Sequence, residues 1–370
     1  MEKRLSILIL DNSVSMTGAF RSIFSITNEL HSEFGFHFAI SNESKLSKYL
    51  NSSGVKVLQL QFVELQKNYR ILLYLPFLFY NTLKIVRYVK RNSIDIVHVN
   101  DMYNMCGVAL KLIRPKTKIV YHVRLMPDSY VKSLYSFFVN LIKRYADRVI
   151  SVSEAVRLEL EKLRLVSVLI YDAIKVKEKH VIDNHAQGNK LLYLANFIKG
   201  KGHDYAIQAF VIAKRQVPEL QMVIAGDDMG FRKNQAYKRE LKNEVIRLGL
   251  TNSIVFHDFV EDTEQIIKES DIFLNFSESE SFSITCLEAV TYGIPLIATD
   301  CGGPSEIFEH EVSGLLVPNR GVNEMGAAIV RLSLDKNLRE NFSRNGKKYV
   351  TTKFGLVKSA EALSSVYISL

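Results

Sequence analysis

Two glutamates, Glu280 and Glu288, stand where a parallel α/β protein does its chemistry. The apolar run Ile272 to Phe276 predicts a buried strand, and a polar loop with Glu278 and Glu280 follows it. Ile284, Leu287 and Val290 then recur at helical spacing, with Gly293 as a left-handed C-cap and Pro295 as a stop. A second strand, Leu296 to Ala298, leads into the turn CGGPSE. Strand–loop–helix–strand is the repeat of a parallel sheet, and such sheets bind ligands at the loop beyond the strand's carboxyl end. Glu280 lies in that loop. Glu288 lies in the second helical turn, where side chains lean back toward the N-terminus. Both can reach one ligand at the helix start, where the amides of Ser283, Ile284 and Thr285 are offered to an anion. The plainer alternative is a solvated helix residue and an ordinary loop acid.

The surrounding elements must place these groups. In the first half, strands are predicted at Ser6–Leu10, Phe36–Ile40, Val55–Leu60, Ile94–Val99, Lys118–His122, Arg148–Val152 and Val166–Ile170. Helical patterns lie between them, at Arg21–Leu30, Phe77–Arg91, Met105–Ile113, Tyr130–Tyr145 and Glu154–Leu163. The alternation indicates a doubly wound parallel sheet. IDIVHVND and KIVYHVR end in polar residues on the ligand edge: Asn100 and Asp101 in one, His122 and Arg124 in the other. The first strand–loop–helix unit has a single Gly18 and no G-x-G-x-x-G, which argues against a dinucleotide dehydrogenase.

A fresh series begins near Leu191. It has strands at Leu191–Ala195 and Gln221–Ala225 and a short one in NSIVFHDFVED, helices at His203–Arg215 and Arg239–Leu248, then SGLLVP as a strand and helices from Asn323 to Leu370. Lys201, between Gly200 and Gly202 just before a helix, is the cation expected on a phosphate, although a plain surface lysine also fits. Two domains suit a chain of 370 residues. The expected division is 1–175, a linker at 176–190, a second domain at 191–350, and a C-terminal helix at 351–370 packing back on the first domain.

Residues 1–190 hold 28 Lys/Arg against 16 Asp/Glu, and residues 191–370 hold 20 against 23, so the first half is basic. Helical segments with Lys84, Arg87, Lys90 and Arg91, and with Lys132, Lys143, Arg144 and Arg148, carry cations opposite an apolar stripe, a pattern that suits a protein core and also an anionic lipid surface. No nucleic-acid motif is present, so no nucleic-acid partner is expected. Three scattered cysteines, an N-terminal apolar run too short for a signal peptide, and the lack of a stretch of about 20 apolar residues point to a cytoplasmic protein, peripheral at most on the membrane's inner face.

With these residues in place, the chain resembles the retaining glycosyltransferases of family 4. The resemblance rests on E-x7-E from Glu280 to Glu288, ATDCGGPSEIF and SGLLVP behind it, LLYLANFIKGKGHD, RLGLTNSIVFHDFV, DRVISVSEAV and IDIVHVND, which together span nearly the whole chain. It implies the GT-B fold, two Rossmann-like domains facing each other across a cleft, and sugar transfer from a UDP- or GDP-sugar to a glycan hydroxyl, in surface polysaccharide synthesis on a lipid-linked acceptor. It also implies roles. Glu280 stands near the donor sugar and Glu288 holds the ribose hydroxyls. Phe282, Ser283 and Ile284 offer amides to sugar and pyrophosphate, and Lys201 neutralises the pyrophosphate. Gly18 approaches the phosphate, His122 sits by the sugar, and Phe259 and Val260 lie in the base-binding region. No metal or other cofactor is implied. Two positions depart from the family pattern: Ala195-Asn196 replaces Gly-Arg, removing a cation, and Ser281-Phe282-Ser283 replaces G-F-G. Rival readings are a same-fold epimerase or phosphorylase, and a bilobal sugar-binding protein.

Overall fold

The computed structural model describes residues 4–62, 73–129, 132–174, 187–260 and 262–370. Most of the expected linker 176–190 and the expected helix start at Tyr130 lie outside them. The chain forms two compact units, Met1–Lys175 with Phe354–Leu370, and Val176–Lys353.

Unit 1 holds strands β1 (Ser6–Leu10), β2 (Gly35–Ser41), β3 (Lys56–Leu60), β4 (Ile96–Val99), β5 (Lys118–Val123), β6 (Arg148–Ser151) and β7 (Val168–Leu169). They form one parallel sheet in the order β3-β2-β1-β4-β5-β6-β7. Helices α1 (Gly18–Glu29), α2 (Leu46–Ser52), α3 (Tyr74–Arg91), α4 (Cys106–Ile113), α5 (Lys132–Tyr145) and α6 (Glu154–Lys162) connect them. Residues Ile7 to Leu10 of β1 are wholly buried, as strands covered on both faces must be. Strand β7 is shorter than the apolar run suggests, and its neighbour Val166 is exposed.

Unit 2 holds β8 (Lys190–Leu194), β9 (Gln221–Ala225), β10 (Ile254–His257), β11 (Ile272–Asn275), β12 (Leu296–Thr299) and β13 (Gly314–Val317), parallel in the order β10-β9-β8-β11-β12-β13. Its helices are α7 (His203–Lys214), α8 (Arg232–Arg247), α9 (Thr263–Lys268), α10 (Ile284–Thr291), α11 (Val322–Leu334) and α12 (Lys336–Lys353). Helix α8 starts a full two turns before its apolar pattern does, because the buried stripe opens with Asn234 and Lys238 beside Tyr237. The last helix, α13 (Leu356–Ile368), belongs to unit 1. It packs on α1, sets Tyr367 edge-on to Phe34 at 5.5 Å, and donates from Ser364 to Glu33 at 2.8 Å.

In each sheet the strand order reverses once, between β1 and β4 in unit 1 and between β8 and β11 in unit 2. Loops leaving neighbouring strands there run to opposite faces and open a crevice at the carboxyl edge. Gly18 follows β1, and Lys201 and Glu280 follow β8 and β11. Among the described residues no helix is long and apolar enough to cross a membrane.

Candidate functional site

At the unit 2 reversal the loops after β8 and β11 meet. Lys201 Nζ donates to Glu280 Oε1 at 2.7 Å, and both side chains keep partial access to solvent. The lysine is aimed by its backbone. Gly200 and Gly202 hold φ of +92° and +73°, and a Cβ on Gly202 would stand 2.0 Å from the Phe276 carbonyl oxygen. Only glycine fits there. The buried Tyr193 hydroxyl joins the two loops, donating to Lys201 O at 2.5 Å and accepting from the Phe276 amide at 2.8 Å.

Glu280 is as firmly set. Its amide donates to Cys301 O at 3.0 Å and its carbonyl accepts from Gly303 N at 2.9 Å, so the CGGP turn clamps it from below. Ser277 Oγ donates to its carboxylate at 3.3 Å. Its neighbour Glu278 serves structure instead: it accepts from Tyr205 OH at 2.9 Å and pairs with Arg320, which holds its carboxyl below the usual range.

Glu288 is not a solvated helix residue. It is 2% exposed and accepts from Thr263 Oγ1 at 3.2 Å, on the short helix α9 that the apolar pattern does not reveal. A carboxylate is buried at such cost only with hydrogen-bonding partners. Ile284 opens helix α10, whose first-turn amides have no intrahelical acceptor. Phe282 and Ile284 are buried side chains, which leaves only their backbone for a ligand.

The remaining expected residues of unit 2 are looser. Asn196 is exposed, and its Oδ1 accepts from the Asp227 amide at 3.4 Å; it does not join the Lys201–Glu280 pair. Phe259 is half exposed and Val260 partly so, beyond the end of β10.

In unit 1, Gly18 is the first residue of α1, behind the N-cap Thr17, whose Oγ1 accepts from Phe20 N at 3.2 Å. His122 is 1% exposed at the end of β5. Beside it runs a buried polar chain: Asn100 donates to Asp11 Oδ2 at 2.5 Å, Arg124 Nε donates to Asn100 Oδ1 at 2.8 Å, and Arg124 Nη1 pairs with Asp172. Burial, then the Arg124 charge and His98, push His122 well below its ordinary pKa, so it is neutral. Asp11, Asp172, His98, Tyr193 and Thr263 have no pattern in sequence that sets them apart from core or loop residues. Among the described residues no three His, Cys, Asp or Glu side chains gather as a metal-ligand set.

Two family models match the chain: Glycosyltransferase Family 4 over residues 17–176, and Glycosyl transferases group 1 over residues 175–349. Together they span both sheets. The chain belongs to the family 4, group 1 glycosyltransferases. An uncharacterized glycosyltransferase of Methanocaldococcus jannaschii is 27% identical over 178 residues, 48% of this chain and 44% of that protein. The lipopolysaccharide core biosynthesis mannosyltransferase LpsB of Rhizobium meliloti is 28% identical over 172 residues, 46% and 48% of the two chains. The chain thus spans about half the length of these curated relatives. Anabaena Alr3699/HepE, solved in complex with UDP and glucose, superposes with a TM-score of 0.84 at 20% identity, over 99% of this chain and 100% of that one. That likeness shows the fold, GT-B with two Rossmann-like α/β domains.

Within this chain, the departure from the family pattern at Ser281-Phe282-Ser283 has a visible cost. Ser283, the N-cap of α10, holds φ +81° and ψ +89°, a conformation that glycine adopts freely and serine does not. The hydroxyl offsets part of that cost by accepting from Cys286 N and Asn275 Nδ2, each at 3.4 Å. The tight approach survives because Gly303 lies beneath: a Cβ there would stand 2.2 Å from Phe282 Cα.

Proposed function

We propose that this chain is a retaining glycosyltransferase that moves a sugar from a UDP- or GDP-sugar to a glycan hydroxyl in surface polysaccharide synthesis, such as capsule, O-antigen or exopolysaccharide. One observation carries the reading: a partly exposed ion pair, Lys201–Glu280, beside the first turn of α10 at the sheet's reversal point. The leaving group of such a reaction is a nucleoside diphosphate, so catalysis is largely stabilisation of its developing charge. On this reading Lys201 and the amides of Phe282, Ser283 and Ile284 meet the pyrophosphate, and Glu280 turns to the sugar hydroxyls. Glu288 takes the ribose, Phe259 and Val260 flank the base, Gly18 approaches the phosphate, and His122 donates to the sugar. No metal or other cofactor is called on. The UDP and glucose held by the Anabaena structure and the lipopolysaccharide role in the Rhizobium relative's name support donor and acceptor class.

The acceptor is proposed to be lipid-linked, with the protein peripheral on the cytoplasmic face. Helix α3 opens with Leu75 and Phe79, 71% and 65% exposed, and Lys84 lies over the Tyr80 ring at 5.2 Å, a basic and aromatic face suited to anionic lipid. Vesicles with anionic lipid should bind the protein at low salt better than neutral vesicles; equal binding removes the membrane from the reading. The reaction is tested with a panel of nucleotide sugars, with and without acceptor. Free nucleoside diphosphate that forms only with acceptor supports transfer, whereas interconverted sugar nucleotides support an epimerase and sugar phosphate a phosphorylase. A thermal-shift series with UDP, GDP and ADP identifies the base, because a ligand bound by the native state alone raises its stability.

A further inference from the structure

We propose that Arg124 is a positioning residue that holds His122 in one tautomer, with its proton on Nε2, so that His122 meets its ligand as a neutral hydrogen-bond donor and never as an acid. The ligand in question, the donor sugar, rests on the reading above; the tautomer does not. Arg124 is 7% exposed and its guanidinium is fixed at separate points: Nε on Asn100 Oδ1, Nη1 on Asp172, and Nη2 at 3.4 Å from His122 Nδ1. The anchors are themselves anchored. Asn100 binds Asp11, and Asp172 Oδ1 also accepts from Ser22 Oγ at 2.7 Å.

A guanidinium has N–H donors and no lone pair to offer. The nitrogen of His122 that faces it must therefore be the bare acceptor, and in a neutral imidazole the single proton then sits on the other nitrogen. That other nitrogen, Nε2, is buried and has no partner among the described residues. It is a buried donor left open, where most buried polar atoms find a partner, a state it shares with Nε2 of the adjacent His98.

The groups around the ring keep it neutral. Arg124 lies on one side. On the neighbouring strand the His98 ring is 5.4 Å away, and its Nδ1 is bound at 2.6 Å to the Tyr367 hydroxyl of α13. Burial, then Arg124, pushes His98 down to about 3, so neither histidine adds charge. Asp11 and Asp172 are spent on Asn100, Arg124 and Ser22.

The test is a two-bond proton–nitrogen correlation spectrum of the full chain labelled with nitrogen-15, from about pH 5.5 to about pH 8.5. His122→Gln assigns the signals. The expected result is a neutral His122 protonated on Nε2 throughout; an Nδ1 proton, or a titration near pH 6.5, overturns the proposal. Arg124→Met with Asp172→Asn removes the cation together with its counter-charge, so no orphan charge is left buried. In that double variant His122 should exchange between tautomers, and the nucleotide-sugar Kd should rise about tenfold while the Kd of the bare nucleoside diphosphate stays level. A double variant with an unchanged tautomer also overturns the proposal. If the unaltered protein binds no nucleotide or nucleotide sugar, the donor reading fails while the tautomer result stands by itself.

Discussion

The two sheets reverse at equivalent points, yet the polar groups at those points are built on different principles. In unit 1 they form a closed, buried chain from Asp11 through Asn100 and Arg124 to Asp172, with two neutral histidines beside it. In unit 2 a single, partly exposed pair, Lys201–Glu280, sits on glycine-hinged backbone next to a strained N-cap. A buried chain satisfied at every link is rigid and presents a fixed donor. An ion pair open to water is held weakly and can exchange one anion for another. The difference leaves unit 1 with a rigid polar chain and unit 2 with a charge pair open to water.

Four measurements would break or sharpen this contrast. The largest effect is expected in unit 2, where Lys201→Ala and Glu280→Gln should each lower turnover by about 10²- to 10³-fold. Circular dichroism should stay unchanged, and near-normal turnover in both variants would remove the site. In unit 1, Asp172→Asn strands the Arg124 charge in the interior and should cost about 3 kcal/mol by urea unfolding, with little cost meaning that the chain is not the closed one described.

Acid should also separate the units. His98 falls to about 3 and His122 well below its ordinary value in the folded state, while His203 of unit 2 falls to about 4, all chiefly through burial. Between those values and about 6.5 the unfolded chain binds protons that the native chain does not. Stability is therefore complete above about pH 6.5 and drops as pH falls, by about 1.4 kcal/mol per pH unit for each histidine. His37 of unit 1 is also lowered by burial, so with three such groups against one, amide exchange at low pH should open unit 1 first, and His98→Gln should narrow the gap.

The smallest effects concern backbone strain. Gly200→Ala meets open space and should cost about 1 kcal/mol, the strain of its positive φ alone, whereas Gly202→Ala collides with Phe276 and should cost more. Ser283→Gly should gain up to about 1 kcal/mol, since the strain relieved exceeds the capping bond lost. A loss of stability in Ser283→Gly would show that the hydroxyl matters more than the conformation.

Much of this was legible in the chain itself. Apolar runs of strand length, and apolar residues at helical spacing, set out the alternation of both sheets, because burial on two faces imposes that pattern. Lys201 between two glycines and Glu280 in its loop could be singled out because positive φ and charge at a helix start are local demands. The pattern failed where polar residues occupy a buried stripe, as at Asn234 and Lys238 in α8, and where a helix is too short to show a period, as in α9.

Other features were decided by tertiary structure alone. Glu288 reads in sequence as a helix acid of either kind; Thr263, brought in by a different helix, α9, makes it a buried acceptor. Arg124 and Asp172 lie 48 residues apart and meet only because β5 and the chain leaving β7 end at the same sheet edge. Sequence determines which groups are present and what their local backbone permits. Whether a carboxylate is solvated, paired with a cation or buried against a hydroxyl depends on partners that only the packing of distant strands brings within hydrogen-bond reach.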